Sequence, residues 1–313
     1  RMDEVFEHRP LLNRERLRAL QQRRDAPSFI RLMLQFSAFF LCAGLVVGVS
    51  ALPIVAAPAT GLLGAIWASL FAPFHECTHQ TAFQSKRLNE IGAWLSGIPF
   101  GMAPAVYRAF HFKHHRYTQD PQKDPELMTA SSQPARWPRS MKGWLMMASG
   151  MGLTLLKGSV LVRFSLLPFE KWEERAPWVP AIEQRPRLAW ESRIIGLCWL
   201  AFIGAAVVGL SGVGWILIAA LLGHVFQALW ITTEHTGLPY EGSILARTRT
   251  VLTSPLISWW LWNMNYHAEH HAWPAIPWHR LPEIHTEIAE HLEAEERGYA
   301  RLQLSVMRNT LLS

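Results

Sequence analysis

Basic residues are absent from two long stretches of this sequence, and charge is scarce overall. Only 17% of the 313 residues are charged, while half are hydrophobic. No Lys or Arg occurs at 32–85 or at 194–246. A helix needs about 20 apolar residues to cross about 30 Å of hydrocarbon, so each stretch is long enough to cross a bilayer twice. The pattern argues against a soluble domain and predicts a multi-pass integral membrane protein.

Cysteine is also scarce. The chain has three, Cys42, Cys77 and Cys198, and an odd number in a largely apolar chain argues against a disulfide framework. The net charge of +6 fits basic loops beside anionic lipid, so we expect no nucleic-acid partner.

The two stretches predict two helical hairpins at 32–74 and 194–234. In the first, we expect spans at about 32–50 and 60–74 around a turn with Pro53 and Pro58. In the second, we expect spans at about 194–210 and 215–233. Each connection is too short to form a domain of its own.

The remaining segments predict a cytosolic and interfacial helical cap. It comprises an amphipathic N-terminus at 1–31 on the membrane surface, and the segments 75–193 and 235–313. We expect an interfacial helix pair at 141–167 and a C-terminal amphipathic helix at about 282–298. Because every Lys and Arg lies outside the hairpins, both termini are predicted to be cytosolic, in a bacterial inner membrane rather than the endoplasmic reticulum. The fold class is all-α integral membrane, in one domain over 1–313.

Histidine is abundant in this sequence, in contrast to the charged residues. Fourteen histidines are present, and eight of them form three clusters with helical ligand spacing. Residues at i, i+3 and i+4 share one face of a helix. The clusters are His75 with His79, then His111 with His114 and His115, and finally His267 with His270 and His271. All three lie at or beyond the cytosolic ends of the apolar stretches, so they can meet in one layer.

This number of buried imidazoles indicates metal. Each ring carries polar nitrogens that need partners once water is removed. Eight ligands exceed the four that a zinc ion accepts, so the set implies two ions. Nitrogen-rich ligation suits iron, zinc or copper and argues against magnesium or calcium.

Two other classes of metal protein share part of this pattern. The first cluster reads His-Glu-x-x-His, which is typical of zinc proteases with Glu76 as the general base. That interpretation leaves two clusters without a role. A metal transporter would hold its ligands near the middle of the bilayer along a pathway, whereas these histidines lie at helix ends.

The three clusters together resemble the membrane fatty acid desaturase and hydroxylase superfamily, across essentially the whole chain. The pairs Asp120-Pro121 and Asp124-Pro125 after the second cluster and Asn265-Tyr266 before the third also match. Glu76 stands where many acyl desaturases have Asp, which is similar to the sphingolipid desaturase branch. This substitution bears on the substrate and leaves the metal ligands intact.

The resemblance implies nine histidines around two iron ions, with zinc as a possible substitute during purification, and O2 as co-substrate. The ninth ligand is expected at the end of the fourth span, where His235 lies. His224 is eleven residues earlier, about 16 Å deeper along a helix, which suits an interhelical hydrogen bond or a contact with the head of the substrate better. A ligating histidine usually donates its other N–H to a carboxylate or carbonyl. Residues placed for that role are Glu76, Asp120, Asp124, Glu234, Asn265 and Glu269.

We therefore expect a lipid oxidase, most simply an acyl-chain desaturase that forms a C=C bond in a fatty acid or acyl lipid. A lipid or carotenoid hydroxylase or ketolase on the same scaffold is the alternative. We expect an apolar tunnel lined by Trp67, Trp259, Trp260 and Trp262, although such residues also form interfacial belts. No His-Pro-Gly-Gly stretch occurs, so electrons would come from a ferredoxin, a rubredoxin or a cytochrome b5-type protein docking on the basic face.

Overall fold

The computed structural model describes residue 5 and residues 7–128, 135–174 and 176–312, and it is almost entirely helical. Residues 1–4 and 6 of the predicted N-terminal segment lie outside this part. The helices are α1 Arg14–Leu20, α2 Asp25–Gly48, α3 Pro53–Ser69, α4 Phe71–His79, α5 Lys86–Phe100, α6 Pro104–Tyr117, α7 Pro125–Met128, α8 Met141–Ala148, α9 Met151–Leu166, α10 Arg185–Val207, α11 Val213–His235, α12 Ile244–Arg247, α13 Pro255–Trp260, α14 His267–Ala272, α15 Leu281–Ile288 and α16 Tyr299–Leu312. Strand β1 is Thr250–Leu252 and strand β2 is Glu295–Arg297.

Within the described residues, four helical stretches are long and apolar enough to cross a membrane. They are Asp25–Gly48, Pro53–His79, Ile182–Val207 and Val213–His235. This confirms the prediction of an all-α integral membrane protein with four spans. Helices α8 and α9 meet at a bend of 48° and together would qualify as a fifth, broken span. The two helices expected at 141–167 are present, and their interfacial position stays a prediction.

The observed spans are longer than the predicted ones. The expected turn over Pro53 and Pro58 was wrong, because α3 begins at Pro53 and carries Pro58 inside it. Proline is tolerated in the first turn, where its missing N–H would have had no intrahelical partner. At the end next to the cap the spans continue through the histidines, since α4 ends at His79 and α11 ends at His235. The membrane helices themselves therefore carry three of the candidate metal-binding histidines, His75, His79 and His235.

The N-terminal helix α1 packs on helix α15 of the cap. Leu20 of α1 and Leu12, which precedes α1, are buried against Ile284 of α15 in one apolar cluster. Arg16 of α1 donates to Glu283 of α15 with an N–O distance of 2.6 Å. The N-terminal segment therefore buries Leu12 and Leu20 in protein, and its place at the membrane surface stays a prediction.

The prediction of a single C-terminal helix at 282–298 was wrong. Helix α15 ends at Ile288 and the chain then forms β2, which pairs in parallel with β1. The strand pair satisfies backbone groups through Thr250 opposite Glu295, which the amphipathic pattern alone could not indicate.

The second and fourth spans touch through glycines. A Cβ on Gly64 of α3 would lie 2.8 Å from the Cβ of Leu222 and 3.1 Å from the carbonyl oxygen of Ala219, both on α11. A Cβ on Gly223 would lie 3.2 Å from the Cβ of Trp67. Small residues let helix backbones approach closely where lipid supplies no hydrophobic driving force. This contact fixes the two helices whose ends carry His75, His79 and His235.

We expect Gly64→Ala to destabilise the protein by about 1–3 kcal/mol, because the added methyl group forces α3 and α11 apart. Thermal unfolding of the purified protein in detergent measures the effect. Gly61→Ala is the matched control on the same helix, since nothing lies within 4 Å of its Cβ position, and alanine favours helix by up to about 1 kcal/mol. Equal unfolding temperatures for the two variants would contradict the assignment of this contact.

Candidate metal centre

The first histidine cluster lies at the end of the second span. Every residue of α4 is buried, including His75 and His79. The helix ends at His79 and is followed by Gln80, which adopts a left-handed conformation with φ of 63°. The imidazoles of His75 and His79 lie one turn apart, with ring centroids 4.7 Å from each other.

The second cluster lies on α6, which begins with Pro104 in its first turn. His111 and His114 are buried, and His115 is half-buried. The Nδ1 atom of His114 lies 2.9 Å and 3.1 Å from the two carboxylate oxygens of Asp124. Asp124 also accepts the backbone N–H of Gln119 at 2.8 Å, so the carboxylate is itself held in place.

The third cluster lies on α14, and all three of its histidines are buried. His235, at the end of α11, reaches the same layer, with its Nε2 atom 3.2 Å from that of His267. The end of α11 is secured by Arg249, whose guanidinium donates to the Thr236 carbonyl oxygen at 3.2 Å. A cation at a helix C-terminus satisfies carbonyls that have no partner within the helix.

The imidazoles of all four segments meet in one buried layer and form two groups. In each group the candidate ligand nitrogens lie within 4.8 Å of one another. The first group, here called site A, comprises His75, His79, His111, His115 and His270, and the second, site B, comprises His114, His235 and His271. His267 lies beside site B through its contact with His235. The first cluster contributes to site A alone, whereas the second and third clusters divide between the sites.

The nitrogen positions of site A fit a bound metal ion. The Nε2 atom of His115 lies 2.9 Å from that of His111 and 3.1 Å from that of His270. Two nitrogens bound to one ion at about 2.1 Å and at right angles lie about 3 Å apart. Other imidazole nitrogens of the layer are buried and have no hydrogen-bond partner among the described residues, among them both nitrogens of His75 and Nε2 of His271. Such groups are costly unless a ligand satisfies them.

Burial also sets the protonation of these rings. Desolvation, reinforced by neighbouring imidazoles, lowers the pKa of His111, His115 and His267 well below the usual value for histidine. Desolvation and the nearby His114 lower the pKa of His270 to about 3. These rings are therefore neutral at physiological pH, which is the form that binds metal.

His114 is the exception. Burial alone would lower its pKa, but the charges of Asp124 and Glu126 and the hydrogen bond to Asp124 raise it to about 9. The ring donates its Nδ1–H to the carboxylate and turns Nε2 towards site B. A metal ion there would displace any proton on Nε2.

The six residues predicted to support the ligands fall into two sets. Asp124 contacts His114, and Glu234 lies 3.6 Å from Nε2 of His267. The other four have their described contacts elsewhere. Glu76 accepts from Thr81, Asp120 accepts from the backbone of Gln122, Asn265 accepts from Ser258, and Glu269 accepts from Thr250 and contacts His285.

Two supports were not foreseen from the sequence. The hydroxyl of Thr118 lies 3.1 Å from Nδ1 of His271, and the carbonyl oxygen of Arg247 accepts from Nδ1 of His235 at 3.0 Å. Thr118 follows His114 by one helical turn, and this spacing in the sequence could have indicated a hydroxyl beside the histidine layer. A backbone carbonyl twelve residues after its partner leaves no such signal. With Asp124, these contacts give each histidine of site B an oxygen partner that orients its other nitrogen.

A cavity of about 660 Å³ reaches this layer. Its lining is mainly apolar and aromatic and includes His75, His111, His114 and His267. Apolar pockets of this size with a few polar groups are typical of ligand sites. The chief apolar and aromatic contributors are Phe71, Phe100, Met102, Val106, Tyr107, Phe110, Leu153, Leu156, Val160, Trp178 and Ile231.

The predicted tryptophan lining was wrong, because none of the four tryptophans named above is among the described residues that line this cavity. The indole N–H of Trp67 instead donates to the Pro99 carbonyl oxygen at 2.7 Å, and that of Trp262 donates to Gln35 at 2.8 Å. The interhelical role expected of His224 is confirmed, since its Nδ1 lies 3.0 Å from the hydroxyl of Thr154 on α9.

Comparison with known proteins agrees with the resemblance to the membrane fatty acid desaturase and hydroxylase superfamily. The sequence model of the fatty acid desaturase family matches residues 50–303. The chain is 23% identical over 239 residues to the sphingolipid delta(4)-desaturase of Candida albicans, covering 71% of this chain and 59% of that protein. It is 27% identical over 225 residues to the sphingolipid delta(4)-desaturase DES1 of Drosophila melanogaster (71% and 62%). It is 25% identical over 242 residues to the sphingolipid delta(4)-desaturase/C4-monooxygenase DES2 of Mus musculus (73% and 65%). The chain thus spans less than two thirds of the length of each of these relatives.

The paired aspartates allow a matched test of the support for site B. Asp124→Ala removes the carboxylate that orients His114, and we expect metal affinity to fall by roughly 10–100-fold. Asp120→Ala is the control, because Asp120 stands in the same Asp-Pro setting but contacts the backbone of Gln122 and lies 3.9 Å from Lys123.

Metal content per chain after dialysis against a graded chelator is the measurement. We expect the Asp120 variant to retain metal like the wild type and the Asp124 variant to lose about half of the bound metal at lower chelator concentration. Equal retention by all three proteins would contradict the role given to Asp124.

Proposed function

This chain belongs to the fatty acid desaturase family, and we propose that it is an O2-dependent lipid oxidase that introduces a C=C bond into an acyl chain. The observation that carries the proposal is the apolar cavity whose wall exposes His75, His111, His114 and His267. A long alkyl chain in this cavity would run directly past the histidine layer. The relatives that act on sphingolipids by name support a long-chain lipid as the substrate.

We propose that the cofactor is a pair of iron ions. Site A would hold one ion through its five histidines, and site B together with His267 would hold the other. All nine ligands would be neutral nitrogens, which suits iron and also accepts zinc or copper. When bound, the metal pair supplies the activation of O2 that an unactivated C–H bond demands and that no side chain provides.

The chain's own residues bind the lipid and position it for reaction. Phe71, Phe100 and Tyr107 form aromatic walls beside the histidines, with the Phe71 and Phe100 rings stacked at 5.2 Å. These walls exclude water and hold methylene groups in one place, which is the main contribution a protein makes when a cofactor carries the chemistry. Overall, two hydrogens from the lipid, with two electrons and two protons from outside, reduce O2 to two waters.

Hydroxylation is the second candidate outcome. The mouse relative is named both as a desaturase and as a C4-monooxygenase, so one scaffold of this kind supports both reactions. In hydroxylation one oxygen atom enters the C–H bond and the other leaves as water. The outcome would depend on where the cavity holds the second hydrogen.

We propose that an acidic electron carrier, a ferredoxin, a rubredoxin or a cytochrome b5-type protein, docks on the helix that carries the second histidine cluster. Three cations surround the ring of Tyr117, with Lys113, Arg116 and Lys123 at 5.5, 5.4 and 5.5 Å from its centroid. Arg116 and Lys123 are exposed. Tyr117 follows His114 by one helical turn, so a carrier bound there would lie close to the metal ligands. In this arrangement the cap and both termini face the cytosol.

Lipid analysis of a host that expresses the wild type should reveal a new double bond, identified by gas chromatography and mass spectrometry. His114→Ala should abolish it, with a loss of at least about a hundredfold, because it removes a proposed ligand. His291→Ala is the control, since His291 is exposed on the surface of the cap. Identical lipid profiles for the wild type and the His114 variant would overturn the proposal. A new hydroxyl group in place of the double bond would support the hydroxylase instead.

The proposed docking site predicts a charge effect on electron delivery. The double variant Arg116→Glu with Lys123→Glu should slow reduction by an acidic ferredoxin by roughly tenfold at low salt, because complementary charge accelerates encounter. The control is Arg14→Glu with Arg18→Glu, which reverses two exposed charges on α1. Stopped-flow reduction of the metal-loaded protein measures both. A larger effect in the control pair would place the docking surface elsewhere.

A further inference from the structure

A lysine lies buried in the wall of the substrate cavity. Lys157, on α9, is only 6% exposed. Its ammonium donates to the Phe100 carbonyl oxygen at 3.0 Å and to the amide oxygen of Gln227 at 3.2 Å. It also lies 3.3 Å from the centroid of the Phe100 ring. Two of its three N–H donors are therefore occupied by neutral oxygens.

The ammonium has no anionic partner in the described part of the chain, where no carboxylate oxygen forms an ion pair with it within 4.0 Å. A buried charge without a counter-charge is strongly unfavourable, and an amide oxygen and an aromatic face offset only part of that cost. An anion delivered by a ligand would offset the rest and would accept the third N–H.

Charge is segregated along this cavity. Lys157 and Arg163, both on α9, contribute its basic lining. Its acidic lining comes from Glu126 and Glu234, and each lies near a histidine, 3.7 Å from Nδ1 of His114 and 3.6 Å from Nε2 of His267 respectively. A lipid with an anionic end would therefore bind that end beside α9, with its hydrocarbon directed towards the metal centre.

A purely structural role for Lys157 leaves its charge unexplained. Thr154 and His224 join the same two helices one turn away at 3.0 Å, with uncharged groups. Lys157 and Gln227 repeat this contact, and a neutral side chain would serve as well. What distinguishes Lys157 from Thr154 is that it lines the cavity.

From these contacts we propose that Lys157 binds an anionic oxygen group of the lipid substrate, a carboxylate or a phosphate, and so selects an acidic lipid. This inference rests on the proposed function. Gln227 precedes His235 by eight residues on α11, which corresponds to about 12 Å along the helix. Anchoring the polar group at Lys157 would hold the reacting carbons at a fixed distance from it, because the histidine layer lies at the end of the same helix.

The test is equilibrium binding of three lipids with the same saturated chain, palmitate, hexadecyl phosphate and hexadecanol, to the metal-loaded full chain in an uncharged detergent. We expect the wild type to bind an anionic lipid at least about tenfold more tightly than the alcohol, which is the strength of one hydrogen bond to a charged group. The better of the two anions identifies carboxylate or phosphate. Lys157→Met, which keeps the apolar stem, should reduce the preference to about one.

Thr154→Val is the matched control, because it removes the neighbouring contact between α9 and α11 without changing the cavity. It should retain the full preference for the anionic lipid. The inference is overturned by a wild type that binds the three lipids equally, by a Lys157 variant that keeps the preference, or by a Thr154 variant that loses it to the same extent. If Lys157→Met does not fold, Lys157→Gln, which can still donate to the Phe100 carbonyl oxygen but carries no charge, takes its place and should likewise reduce the preference to about one.

Binding and turnover separate this inference from the proposed function. A preference that depends on Lys157 in a protein that forms no oxidised lipid would leave the lipid site in place and refute the oxidase. Oxidised lipid formed without any preference for an anionic end would refute the lipid site alone.

Discussion

The constraint on which this structure depends is the packing of nine imidazoles into one layer, where two membrane helices end against two helices of the cap. Each ring needs partners for two nitrogens, and a dry environment makes every unsatisfied nitrogen costly. Site B meets the demand on one side of each ring, through Asp124, Thr118 and the carbonyl oxygen of Arg247. The nitrogens turned inward are left for metal. The cap is therefore organised to orient rings before an ion arrives, which limits the reorganisation that binding requires.

Helix packing in the membrane supports that layer from below. The close approach at Gly64 and Gly223 joins the span that ends in the first cluster to the span that ends in His235. The polar contacts of Thr154 and Lys157 then attach α9 to the same helix. Because α11 takes part in all of these contacts, it links the bilayer, the cavity and the metal centre. A displacement of this one helix would alter all three together.

Much of this organisation could be predicted from the sequence. Long stretches without Lys or Arg predicted the four spans, and ligand spacing within helices predicted eight of the nine histidines that lie in the layer. The ninth, His235 in preference to His224, was predicted from the resemblance to the desaturase superfamily and from its position at the end of the fourth span. The cavity walls could not be predicted, because they combine α4, α6, α9 and α11, and no periodicity indicates which faces meet. The amphipathic pattern also gave a wrong prediction at 282–298, where part of the chain pairs with β1 as a strand and does not continue as one helix. The support from Arg247 comes from backbone, which carries no residue signature.

The division of neighbouring histidines between the two sites has a consequence for assembly. His114 and His115 are adjacent in the chain yet belong to different sites, and so are His270 and His271. Neither site is completed by the histidines of a single segment or of a single hairpin. Before the third cluster is synthesised, site A has four of its five histidines and site B has two of its three. The third cluster, which supplies His270 to site A and His271 to site B, therefore completes both sites in one step of chain synthesis.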